Sequence, residues 1–105
     1  MDSAEIESVE VAPSGELLLR AAPDPRGLYE YIYRTATGVR WDSARSAFVA
    51  PTPREWSYAD WFGQILADAK SELGVTLVLS SATEWVNVAP KVRQEIEVVA
   101  NGAAT

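Results

Sequence analysis

One short stretch constrains this chain more than any other, PTPREWSYADWF at residues 51–62. Ser57 and Asp60 fit the S-x-x-[DE] capping box, in which each side chain satisfies a backbone N–H left unpaired at a helix start. Trp56 precedes the cap, and Trp61 falls at the fourth helical position. That is the spacing of a hydrophobic staple, which sets how the chain enters a helix. Beyond it, Tyr58, Trp61, Phe62, Ile65, Leu66, Ala69 and Leu73 share one face at helical spacing, with Asp60, Gln64, Ala67 and Ser71 opposite. Gly74 suits the position after the last turn, where a left-handed residue closes the helix. The spacing therefore predicts one long amphipathic helix over about 57–73. It also makes Trp56, Ser57, Asp60 and Trp61 a structural helix start rather than a recognition motif.

An amphipathic helix needs a layer to cover, and the rest of the chain reads mostly as strands. EIESVEVA alternates around Ile6, Val9 and Val11, Pro13–Gly15 turn, and GELLLRAA returns as the second arm of a hairpin. PDPRG (23–27) is a loop. In GLYEYIYRTATG, Tyr29, Tyr31 and Tyr33 recur at period two, which reads as a strand with three tyrosines on one face. A short helix ending at Gly38 is the alternative. Val39–Asp42 and Ala47–Ala50 flank a polar turn and form a second hairpin. VTLVLS (75–80) is continuously apolar and β-branched, the pattern of a central strand. SSATEWVNV reads as extended or loop. Pro90 suits the first turn of a final helix carrying Val92, Ile96 and Val99, although EIEVVA also reads as a strand. Residues 101–105 are expected to be a flexible tail. Strands followed by helices indicate a single α+β domain over 1–105: an antiparallel sheet of about five to six strands, the long helix on one face, and a short C-terminal helix.

Composition narrows the chemistry. The 105 residues include neither histidine nor cysteine. His-based acid–base catalysis, Ser-His-Asp and Cys-His nucleophiles, and imidazole or thiolate zinc sites are therefore excluded. Neither phosphate-cradling glycine motif is present, and no calcium-loop spacing occurs. These gaps point to a non-catalytic protein with no cofactor and no metal. Missing cysteine fits a reducing cytoplasm. The first residues lack the basic-then-apolar pattern of a secretory leader, and the apolar runs are too short to span a membrane.

The net charge of −6 is unevenly spread. Residues 1–16 carry five acids and no base, whereas residues 17–54 carry six arginines against three acids. An acidic whole argues against nucleic acid as partner. Candidate binding residues are the tyrosines Tyr29, Tyr31 and Tyr33 with Arg34, Arg40, Trp41 and Arg54, because aromatics and arginine are the side chains interfaces favour. Each also has a plainer reading: tyrosines in the core, arginines on solvated strand faces, and Trp41 and Trp85 as packing.

The run YEYIYRTATGVRWDSARSAFVAPTPREWSYADWFGQI, followed by GVTLVLSSATEWVNV, resembles small α+β proteins carried on integron gene cassettes. Related-looking domains are predicted immunity proteins of bacterial toxin systems. The resemblance spans roughly residues 10–90 and carries over no functional residues. It implies a bacterial cytoplasmic protein that works by binding. The expected partner is another protein, and an acidic surface would steer it toward a basic one. The rival expectations are a small-molecule binder or small enzyme with an aromatic pocket, into which Tyr31 or Asp60 reaches, and a homodimer formed through an edge strand or the tyrosine face.

Overall fold

The computed structural model describes residues 2–22, 29, 38–52 and 56–103. The order is β1 (Asp2–Val11), β2 (Leu17–Ala21), β3 (Arg40–Asp42), β4 (Ala47–Ala50), α1 (Tyr58–Leu73), β5 (Val75–Val78), β6 (Glu84–Val86) and α2 (Pro90–Ala103). The sheet runs β3-β4-β2-β1-β5, with β6 also against β1, and it curls into a half-barrel. The two hairpin arms pair as expected, and β2 joins them by pairing with β4.

The sheet is not antiparallel throughout. β5 and β6 both run parallel to β1, β5 along Asp2–Glu5 and β6 along Ser8–Glu10. Two antiparallel steps, β1 to β2 and β2 to β4, leave β4 running in the direction of β1, and α1 returns the chain so that β5 runs the same way. VTLVLS is also an edge strand rather than a central one. Among the described residues, β5 has β1 on one side and no strand on the other. Its apolarity has two causes. Val75 and Leu77 are buried in the core, while Val78 is 40% exposed.

α1 begins as its sequence dictates. The Asp60 N–H donates to Ser57 Oγ and the Ser57 N–H to Asp60 Oδ2, both at 3.1 Å. Trp56 lies against Trp61 with ring centroids 4.8 Å apart, and 42% of Trp56 stays exposed. Tyr58 donates its hydroxyl to the Gly15 carbonyl at 2.9 Å, tying the helix start to the β1–β2 turn. Gly74, at φ 68°, closes the helix in the left-handed region and donates its N–H back to Ala69 and Lys70. Phe62, Ile65 and Ala69 then enter the same core as Ile6, Val9, Leu17, Leu19, Phe48 and Leu77.

α2 settles the open choice at the C-terminus: residues 90–100 are helix, and the helix runs on through Asn101 and Gly102 to Ala103. It buries Ile96 in the core and crosses α1 closely at Gly63, where an added Cβ would stand 3.2 Å from Val99 Cγ1. That contact accounts for a glycine in mid-helix, a position where it costs about 1 kcal/mol relative to alanine.

Candidate functional site

The residues expected to bind are divided between the core, the sheet surface and the undescribed segments. Tyr29 is 6% exposed, in a 3₁₀ turn rather than the expected strand. Its hydroxyl donates to the Ala22 carbonyl at 2.7 Å. Its ring meets Trp41 at 5.3 Å and Phe48 at 5.1 Å, and those two, cross-strand partners on β3 and β4, meet at 5.0 Å. The three rings form one inward cluster. Such edge and tilted contacts each add about 0.5–1.5 kcal/mol beyond area burial. Tyr31, Tyr33, Arg34 and Arg54 lie outside the described residues.

Arg40 belongs to a network on the other face of the sheet. Its Nη2 donates to Glu16 Oε2 at 3.3 Å, Arg45 reaches both Glu16 at 3.4 Å and Asp42 at 2.7 Å, and Arg20 reaches Glu10 at 2.7 Å. Arg20 Nε also donates to the Arg45 carbonyl at 3.2 Å. The acid-rich N-terminal hairpin thus meets the arginine-rich middle of the chain, and opposite charges segregated in sequence pair in space. Burial by itself pushes the Glu16 carboxyl up, but the Ser14 hydroxyl, Arg40 and Arg45 outweigh it and hold the group below its ordinary range. Hydrogen bonding to Arg45 does the same for Asp42, and Asp42 in turn raises Arg45. Beneath these charges, Ala12, Leu18, Ala47 and Val49 form a second small apolar cluster.

A cleft occupies the opposite end of the molecule. It has a volume of about 630 Å³, between α1, α2 and the outer edge of β5. Its apolar lining includes Leu66 and Ala67 from α1, Leu77 and Leu79 from β5 and the residue after it, and Trp85 from β6. Lys70, Arg93 and Glu97 supply charge, and Ser80 and Ser81 supply hydroxyls at the end of β5. Where β5 leaves β1, Thr83 fills the gap. Its hydroxyl donates to the Ile6 carbonyl at 2.7 Å and accepts the Ser80 N–H at 3.0 Å. Ser80 donates its own hydroxyl to Glu5 and accepts the Ala82 N–H. The loop at the cleft is thereby fixed to β1 without a continuous ladder. On α2, the Arg93 guanidinium lies 4.9 Å from the Trp85 ring centroid, with Glu97 Oε2 3.6 Å from Nε.

Sequence reasoning placed none of its candidate binding residues here. Two signals were present: the small polar run SSAT after an apolar strand, and a tryptophan eight residues before an arginine on the next helix. Ser80 and Ser81 lie just beyond the carboxyl end of β5. Among the described residues no three carboxylates converge as a metal site, and no helix is long and apolar enough to cross a membrane.

No curated protein matches the chain. A solved structure from the mobile metagenome of North West Arm Sewage Outfall, the integron cassette protein Hfx_Cass5, is 38% identical over 96% of this chain and 98% of that one, with a TM-score of 0.45. The family profile described as Integron Cassette Protein Hfx_Cass5 matches residues 16–83, from the start of β2 to the threonine that anchors the cleft loop, and the chain belongs to that family.

Proposed function

We propose that the chain is a non-catalytic binding protein that takes an extended segment of another protein into the α1–α2–β5 cleft, where the segment adds a strand to the sheet. One observation carries the reading: the edge of β5 that has no strand beside it among the described residues opens into an apolar cleft. An edge strand offers a row of unused N–H and C=O groups, and proteins usually blunt such edges with lysine, proline or a covering element. β5 has the sequence VTLV, with none of these residues. Main-chain pairing supplies affinity in strand addition, and pockets for alternate side chains supply selectivity. Leu66, Val78 and Leu79 provide such a pocket, and Trp85 with Arg93 provides the residue types that dominate interface energetics.

The protein acts in the cytoplasm on this reading, supported by the missing cysteine. An immunity-type role against a basic toxin is the form that the net charge of −6 supports. A second reading, a small apolar ligand in the same cleft, is favoured by its volume of about 630 Å³, inside the roughly 300–1,000 Å³ range of small-molecule sites.

The test is selection from a phage-displayed library of random dodecamers, with Ala67→Phe as control. Ala67 is exposed and lines the cleft, so phenylalanine fills the space without disturbing the core. Wild-type protein should enrich extended, alternately apolar sequences that the variant does not. An enriched peptide should then show backbone contacts to residues 76–79 by NMR. Enrichment that survives Ala67→Phe, or none at all, defeats the proposal.

A further inference from the structure

We infer that Arg93 reads a carboxylate on the segment entering the cleft, so the partner presents an aspartate, a glutamate or its own C-terminus beside the apolar side chain that fills the pocket. This rests on the binding reading above and names its ligand chemistry. Three observations carry it. Arg93 lines the cleft wall, and its guanidinium is held 4.9 Å from the Trp85 ring centroid. Stacking on an aromatic face removes rotamer freedom before any ligand arrives and leaves the planar donor fork available for hydrogen bonds. The in-built partner is weak. Glu97 stands 3.6 Å from Nε, and the two side chains are 50% and 45% exposed, a class of pair worth little in water. A carboxylate arriving with a desolvated apolar segment makes a shorter, charge-assisted contact.

The position in the fold supports the same chemistry. The sheet-face arginines described above, Arg20, Arg40 and Arg45, each have a carboxylate within 3.4 Å. Arg93 differs from them in facing the cleft, and it does so beside Lys70 on the rim. In a protein of net charge −6, the rim sets two cations, Arg93 and Lys70, against the single acid Glu97 beside apolar surface. That combination suits an acidic residue flanked by apolar ones.

The experiment repeats the dodecamer selection with Arg93→Gln and Arg93→Lys, each first checked for wild-type thermal stability. Wild-type protein should enrich aspartate, glutamate or a free C-terminus at a fixed spacing from an apolar residue. An enriched peptide should lose about tenfold or more in affinity when its acid is replaced by the amide. Arg93→Gln should keep the apolar preference and lose the acidic one. Arg93→Lys, lacking the planar fork, should recover only part of it. Enrichment sensitive to Ala67→Phe but indifferent to acids overturns the role of Arg93 and leaves the binding proposal standing. Acid preference that persists in Arg93→Gln also overturns it. If sodium decanoate binds saturably while no peptide is recovered, the cleft holds a small amphipathic acid, and the segment proposal fails.

Discussion

The hairpin end of the molecule and the cleft end use the same materials, aromatic rings and arginines, and finish them differently. At the hairpin end, β4 has a strand on each side, Tyr29, Trp41 and Phe48 close on one another, and Arg20, Arg40 and Arg45 meet Glu10, Glu16 and Asp42. At the cleft end, β5 has one neighbour among the described residues, Trp85 is half-buried on an open wall, and Arg93 has only an exposed acidic partner on its own helix. The contrast teaches where to seek function in a small protein without histidine or cysteine. Satisfied groups stabilise the fold, and recognition belongs where backbone and side-chain capacity is left over.

The comparison breaks first at Phe48. If the hairpin end is the closed and stabilising one, Phe48→Ala should cost about 3–5 kcal/mol by chemical denaturation, because a fully buried ring at the centre of the aromatic cluster leaves a cavity. A loss below about 1 kcal/mol would mean that this end yields as readily as a surface. Ser57→Ala comes next, at about 1 kcal/mol, since it removes one half of a capping box that the hydrogen-bond geometry shows to be complete. An unchanged midpoint there would mean that the Trp56–Trp61 staple and the Tyr58 tie hold the helix start without the cap.

The smallest effect is electrostatic. The folded chain holds Glu16 and Asp42 below their ordinary range. Their pairing therefore contributes fully above the unfolded carboxylate values near pH 4 and fades as pH falls through the lower folded ones. Wild-type protein should melt above Glu16→Gln at pH 7, and the gap should close in strong acid. A gap independent of pH would show that packing, not charge, makes the difference.

The legible part of the fold was local. The Ser57–Asp60 box, the Trp56–Trp61 spacing and Gly74 each carry a short-range mechanism, so α1 is readable from its own residues. Both hairpins are set by turns close in sequence. The position of β5 was not legible, because a run such as VTLV looks the same whether its second face meets a helix layer or an open cleft. Only the pairing of β5 with a strand some seventy residues earlier decides between them. Likewise, the tyrosine repeat suggests a face, yet Tyr29 turns inward because Trp41 and Phe48, distant in sequence, await its ring. The site followed the same logic. Trp85 and Arg93 become partners only when β6 lies against β1 and α2 packs on α1.

Amide hydrogen exchange across Val75–Val78 in the free protein tests the central claim most directly. Along a strand, successive N–H groups point to opposite sides. The account predicts that alternate amides of β5 exchange at least about a hundredfold faster than their neighbours and than Phe48 on β4. Equal, strong protection at all four positions would show that the edge is already covered, and the cleft would lose its claim to be the binding site.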